Sequence, residues 1–241
     1  MSVVETSRPS EPASGTPPRP GFLGRLSAED LAGLTLGRRA ESFNPGDVAW
    51  RPGESTVVLL ERGAVAPMTS MSDGAETGAG FCVAGDAPGL VEALAGADTH
   101  DRGAALLPGT AVRVSASTVR RLWRDSASFR EAAAIQSALE AACARRWCAC
   151  QSRHSVDVRV AAFLVRLHRA AGGSVLRTTQ DAVSTTLGVQ RTTVSQSASK
   201  LQADGAIRWR RGAVDVLDAA VLERRACDCP DETDALRASF G

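Results

Sequence analysis

The sequence contains no run of about 18 to 20 apolar residues, the length a membrane-crossing helix needs, so a membrane span is not expected. The first twenty residues carry Glu5, Arg8, Glu11 and Arg19 among several prolines and have no apolar core, unlike a secretory leader; a cytoplasmic protein is expected. Cysteines are few, six in 241 residues (Cys82, Cys143, Cys148, Cys150, Cys227, Cys229), with no CxxC pair, which argues against a disulfide scaffold and for reduced thiols. Lysine is almost absent: Lys200 is the only one, and the remaining positive charge is arginine, a bias of genome composition rather than function. With 44% hydrophobic, 23% charged and only 4% aromatic residues, the composition suits a globular protein of two modest domains.

The formal charge of +1 hides an asymmetry. Residues 1 to 117 hold 9 basic and 14 acidic side chains, residues 118 to 173 hold 10 and 4, and residues 174 to 241 hold 9 of each. An acidic front and a basic middle imply different partners for different segments.

Met1 to Pro20 is too polar to offset the entropy of ordering and reads as a disordered leader, with a first boundary at residue 21. From Phe22 to Ser117, short apolar runs such as Val57-Val58-Leu59-Leu60 alternate with turn clusters such as Asn44-Pro45-Gly46-Asp47, the pattern of an antiparallel β barrel or sandwich. Ser27, with Asp30 three positions later, caps a short helix ahead of it. Between Ser117 and Cys150 there is neither glycine nor proline, so one long helix is expected over 118–152. Phe129, Ala132, Gln136, Leu139, Cys143 and Cys150 form an apolar stripe on it, beside Ile135, Leu139, Ala142 and Arg146. Such a helix, joining two domains, would leave its stripe uncovered in a monomer, which points to a symmetric dimer seam.

Ser155 can cap a further helix running to His168, and Gly172-Gly173 ends it. The stretch Thr178 to Asp218 is the richest in signal. Thr179 caps a helix ending at Leu187, Gly188 supplies a sharp turn, and a polar helix begins near Gln190, with Val183, Leu187, Val189, Val194 and Leu201 placed as buried contacts. Asp204-Gly205 closes it. Ile207 and Trp209 then alternate with Arg208 and Arg210 before Gly212 turns into Val214 and Val216, a two-stranded wing with a basic tip at Arg210 and Arg211. Gln190, Arg191, Thr192, Thr193, Ser195 and Gln196 present hydrogen-bonding groups suited to base edges and phosphates, and Thr179 and Lys200 join them as DNA-contact candidates. Arg191 is the candidate for a bidentate guanine contact and Gln196 for a second reader, with Arg210 and Arg211 on phosphates.

The run LGVQRTTVSQSASKLQADGAIRWRRGAVDVLDAAVLERRACDC resembles the C-terminal winged helix of the Crp-Fnr family of bacterial transcription regulators, and HSVDVRVAAFLVRLH is similar to the helix that opens that domain. The resemblance implies an α+β chain with an N-terminal antiparallel, jelly-roll-like β-roll over 22–117, a dimerisation helix over 118–152, a winged helix-turn-helix over 153–229 and a tail over 230–241. It also implies a homodimer on double-stranded DNA, RNA polymerase as a further partner and a small-molecule effector of unknown identity. In members that bind a cyclic nucleotide, a Gly-Glu pair holds the ribose and an Arg followed by Ser or Thr holds the phosphate. The matching positions here are Gly89-Leu90 and Arg102-Gly103, so the carboxylate and the hydroxyl are both missing and no cyclic-nucleotide response is expected.

The alternative is redox or metal sensing through Cys143, Cys148 and Cys150. Cys143 and Cys150 share a face that a parallel dimer would bring near its mate, and Cys150 with His154 has a metal-compatible i, i+4 spacing. Against this, a cap at Ser155 breaks the helix near His154, Cys227-Asp228-Cys229 lies beyond the wing, and the set lacks the N-terminal cysteine cluster of the family's iron-sulfur members. Buried small residues are therefore expected, with no metal site and no cofactor. A thiol enzyme using Cys148 or Cys150 with His154 lacks a Gly-rich loop or βαβ frame, and a protein-interaction module does not account for Arg191, Arg210 and Arg211; no enzyme activity is expected.

Overall fold

The computed structural model describes residues 21–240; the leader expected over 1–21 lies outside them except for Gly21. Two short helices, α1 (Phe22–Arg25) and α2 (Ala28–Thr35), precede strands β1 (Ala40–Phe43), β2 (Val48–Trp50), β3 (Thr56–Ser70), β4 (Glu76–Gly78) and β5 (Cys82–Val83), then α3 (Leu90–Ala95) and β6 (Arg102–Ser115). The strands form one antiparallel sheet in the order β1-β6-β3-β4, with β2 also on β6 and β5 on β3. Register shifts between Leu60 and Val65 bend the long β3–β6 ribbon so that it rolls over itself.

Alternation along β3 divides the core. Val57 and Leu59 pack with Phe22, Leu34, Leu90 and Phe129 under the helices, while Val58 and Leu60 pack with Phe43, Trp50 and Val65 inside the roll. Gly103 is required where it stands, because a Cβ there would overlap the Trp50 ring. Ser27 caps α2 as expected, accepting from Asp30 N at 3.0 Å, and Asp30 also accepts from Ser128 at the start of the next long helix.

The single helix expected over 118–152 is two: α4 (Ala116–Asp125) and α5 (Ala127–Arg153). The break needs neither glycine nor proline. Ser126 takes an extended conformation and its hydroxyl accepts from Phe129 N at 3.1 Å, while Arg130 Nη1 donates to the carbonyls of Trp123 and Arg124, satisfying the end of α4. Most of the expected stripe is covered as well, while Cys143 and, on the neighbouring stripe, Ile135, Ala142 and Arg146 are half-buried. Phe129, Ala132, Gln136, Leu139 and Cys150 are buried within the chain itself, Phe129 edge-on to Phe22 at 5.8 Å. The face of α5 left exposed is a different one, carrying Ala134, Ala138, Ala141, Arg145 and Cys148.

Beyond α5 come α6 (Val156–Ala171), β7 (Val175–Leu176), α7 (Gln180–Leu187), α8 (Arg191–Ala203), β8 (Ile207–Arg210), β9 (Ala213–Val216), α9 (Ala219–Arg225) and α10 (Cys229–Ser239). Strands β7, β9 and β8 form a second antiparallel sheet. The residues expected to be a tail over 230–241 are mostly α10, with Pro230 in its first turn beside Asp231 and Glu232, a favourable helix start. One hydrophobic cluster spans both halves of the molecule, joining Ala64, Met68 and Leu106 of the roll to Phe163, Leu164 and Leu187. No helix among the described residues is long and apolar enough to cross a membrane.

Candidate DNA interface and effector cavity

Gly188 stands at φ +61°, the left-handed conformation that favours glycine, and turns the chain between α7 and α8. Thr179 caps α7 through its side chain, accepting from Ala182 N at 3.1 Å; its role is thus structural at least in part. Val183, Leu187, Val194 and Leu201 are buried beneath the pair as expected, and Ser184 is buried at the crossing. Gln190 occupies the cap position of α8, and Arg191, Thr192, Ser195 and Gln196 are exposed on its outer face, with Thr193 half-buried behind them. Arg191 Nε lies 3.4 Å from Asp181, an exposed pair weak enough to open for another acceptor.

Two further expected contact residues are held more closely by acidic partners. Lys200 Nζ donates to Asp157 Oδ2 at 2.5 Å, and Ser197 donates to the other oxygen at 2.6 Å, tying α8 to the first turn of α6. These two donors hold the Asp157 carboxyl below the usual carboxylate range. Arg210 lies along the wing against Asp215, Nε to Oδ2 at 2.7 Å, so Arg211 at the exposed turn is the freer cation of the two expected there. The wing is registered on α8 by Gln202 Oε1, which accepts from Trp209 N at 2.8 Å.

The other cavity of interest, about 200 Å³, lies between the roll and α5 and is lined by Trp50, Asp86, Gly89, Gln136, Glu140 and Arg237 among others. Of the four effector residues expected from sequence, only Gly89 lines it. Leu90 begins α3 and is buried in the core under the helices. Arg102 is held by Glu76, Nε to Oε1 at 2.8 Å and Nη2 to Oε2, and this bonding lowers the Glu76 carboxyl. Gly103 lies under the Trp50 ring. Sequence reasoning missed the polar floor of the cavity. Gln136 is fully buried, donates to Glu140 at 3.1 Å and leaves its own Oε1 without a hydrogen bond. Burial pushes Glu140 up to about 8. Across from it, Arg237 of α10 reaches back to Asp86. The acidic first turn after Cys229-Pro230 was the available signal for α10.

The expectation of buried cysteines holds for Cys150 and Cys229, while Cys82, Cys143 and Cys227 are half-buried. All six are free. Cys143 lines the cavity between the roll and α5, Cys148 is exposed, and Cys150 is buried beside Cys227, their sulfurs 3.7 Å apart. Burial and the two neighbouring thiols push Cys150 up to about 12, the opposite of the lowered value that activates a catalytic cysteine.

A curved antiparallel roll, a short and a long helix and a winged helix-turn-helix, with a cavity between roll and helix, make up the architecture. Residues 158–225 match the Crp-like helix-turn-helix domain. The rest of the chain follows the same architecture in solved structures. A CRP-family transcriptional regulator from Thermus thermophilus is similar at TM-score 0.66 and 20% identity, covering 77% of this chain and 95% of that one. FixK2 from Bradyrhizobium japonicum is similar at TM-score 0.66 and 20% identity, covering 80% of this chain and 98% of that one. The c-di-GMP-responsive global regulator CLP from Xanthomonas campestris is similar at TM-score 0.64 and 17% identity, covering 80% and 100%. The fold is therefore that of the Crp/Fnr transcription regulators. No curated protein matches the chain.

Proposed function

We propose that the protein is a sequence-specific DNA-binding transcription regulator of the Crp-Fnr type that acts as a homodimer. The observation that carries this reading is the exposed row Gln190, Arg191, Thr192, Ser195 and Gln196 at the start of α8, flanked by the Arg211 turn, on a Crp-like helix-turn-helix. Arg191 is suited to guanine O6 and N7, Gln196 to a neighbouring base one turn later, and Arg211 to phosphate. The exposed alanine face of α5 supports the dimer, because small residues let two helices approach closely.

The effector domain, in the same reading, does not take a cyclic nucleotide. Leu90 offers no acceptor for a ribose hydroxyl, Arg102 is already neutralised by Glu76, and no hydroxyl-bearing side chain fits at 103 beneath Trp50. A small-molecule effector would instead meet Gln136 Oε1 and Glu140. Contact with RNA polymerase is the remaining expectation of the regulator class. Selection of bound fragments from a genomic library by the purified, reduced protein tests the reading. Enrichment of a two-fold symmetric site with half-sites about one DNA turn, ~10 base pairs, apart is the expected outcome. Binding with no enrichment of any sequence would reject it.

A further inference from the structure

At the C-terminal end of α5, Cys150 and His154 meet Cys227 and Cys229 from the segment joining α9 to α10. The four candidate donor atoms all lie within 4.8 Å of one another. Cys150 Sγ is 3.7 Å from Cys227 Sγ, and Cys229 Sγ is 3.7 Å from His154 Nδ1. A tetrahedral zinc with Zn–S of about 2.3 Å and Zn–N of about 2.0 to 2.1 Å has S–S edges of about 3.8 Å and S–N edges of about 3.6 Å. The two shortest edges thus have the size of a single-ion tetrahedron, whereas a bridged iron-sulfur cluster would need its two ligand pairs held apart by the width of its core.

The cap at His154 does not separate it from Cys150. As the cap residue it still donates its backbone N–H to the Cys150 carbonyl at 3.2 Å, so its side chain remains one turn beyond the thiol although the helix ends there. Cys229 is the first residue of the eleven-residue helix α10, so the helix start fixes its thiol beside the end of α5. A half-buried cation stands beside the cluster. Arg166 of α6 donates to the Cys229 carbonyl at 3.1 Å and to Thr233 at 3.0 Å, and it has no ion pair with a carboxylate within 4.0 Å among the described residues. Three thiolates and a neutral imidazole around a divalent cation leave a net charge of −1, which that guanidinium would balance.

We propose that Cys150, His154, Cys227 and Cys229 form a Cys3His zinc site that clips the segment following the wing to the helix between the two domains. Binding releases three thiol protons per ion and involves no redox step. Because α10 starts at one of the ligands and carries Arg237 into the cavity in its last turn, the site would hold α10 in place between the winged helix and the cavity. The inference stands independently of whether the winged helix binds DNA.

Metal analysis and cobalt substitution of the full chain, purified under reducing conditions, test it. The expected results are about one zinc per chain, a cobalt form with thiolate charge-transfer and tetrahedral ligand-field bands, and zinc-dependent protection of Cys150, Cys227 and Cys229 from alkylation, with Cys148 still reactive. Cys150→Ser with Cys229→Ser should bring the zinc content from about one per chain to none, while Cys148→Ser should keep it. If the double variant fails to fold, the alkylation pattern of the wild-type chain decides. Absence of stoichiometric zinc at micromolar free zinc, a cobalt spectrum without thiolate charge transfer, or protection of other cysteines would each overturn the assignment.

Discussion

Arg237 of α10 lays its two Nη atoms on the two carboxylate oxygens of Asp86, each at 2.8 Å, across 151 residues of sequence. The pair is largely withdrawn from water, with side-chain exposures of 15% and 4%. Asp86 also accepts from Val83 N at 2.9 Å, so the turn leading to Gly89 and α3 is held by a residue from the far side of the winged helix. Burial works against the charge of Arg237, and Asp86 more than compensates.

Arg237→Ala should therefore destabilise the protein by about 3 to 5 kcal/mol, because it leaves the Asp86 carboxylate buried without its cation. Asp86→Asn together with Arg237→Ala should be less harmful than the single Arg237 change. Urea denaturation of the three variants measures this. A loss below about 1 kcal/mol for Arg237→Ala would show that the contact behaves as a surface pair.

The elements of the helix-turn-helix and wing were legible in the sequence. Its signals there are local: the Thr179 cap, the Gly188 turn, and the alternation of Ile207 and Trp209 with arginines. What it hid depends on long-range neighbours. The break at Ser126 lies in a run without glycine or proline and is settled by one hydroxyl and by Arg130. The partners of Lys200 and Arg210, Asp157 and Asp215, come from other elements of the fold. Cys227 and Cys229 lie beyond the wing in sequence, yet they return to Cys150 because α9 packs on α6 and α10 packs on α5.

On the wing, neutralisation by Asp215 separates two adjacent arginines. Arg211→Ala should weaken binding to all DNA sequences alike and reduce the salt slope by about 1. Arg210→Ala should change the slope less, and Asp215→Asn, which frees Arg210, should raise affinity for any sequence. Affinities measured across a salt series check all three; equal slopes for the two alanine variants would contradict the inference from the Arg210–Asp215 pair.

Arg191→Ala should behave differently from both. The loss of a bidentate guanine contact costs about 1 to 3 kcal/mol at one base pair and relaxes preference there, with other positions unchanged. Selection of bound sequences by the variant reads this directly, and an unaltered consensus would displace Arg191 from the reading role.

Glu140 gives the fold a pH signature. Burial raises it to about 8, helped by Asp86 and Glu92 and opposed by the Gln136 hydrogen bond and Arg237. Its folded value lies above the unfolded value of 4.5, so its contribution to stability is complete below about pH 4.5 and is lost as pH rises through about 8. Glu140→Gln, which keeps the shape without the charge, should gain stability relative to wild type steadily from pH 5 to about 9. Melting temperatures of the two proteins across that range test the sign, and a constant difference would place Glu140 in contact with water.

The dimer reading makes its own demand on α5. With Phe129, Leu139 and Cys150 buried inside the chain, the α5 face offered to a second copy is the opposite one, where Ala134, Ala138, Ala141 and Cys148 are spaced four, three and seven. Two parallel helices packed through alanines bring symmetry-related residues close, within the Cα separation of about 4.4 to 6.8 Å that a disulfide spans. Mild oxidation should therefore join two chains through Cys148, and Cys148→Ser should remove the crosslink without removing the dimer. Ala138→Arg, which puts two long cations against each other at the seam, should instead shift the protein toward monomer and weaken binding to a symmetric site more than to a half-site. Sedimentation with non-reducing gels tests this: a dimer that crosslinks through none of its Cys148 pairs and tolerates Ala138→Arg uses another surface.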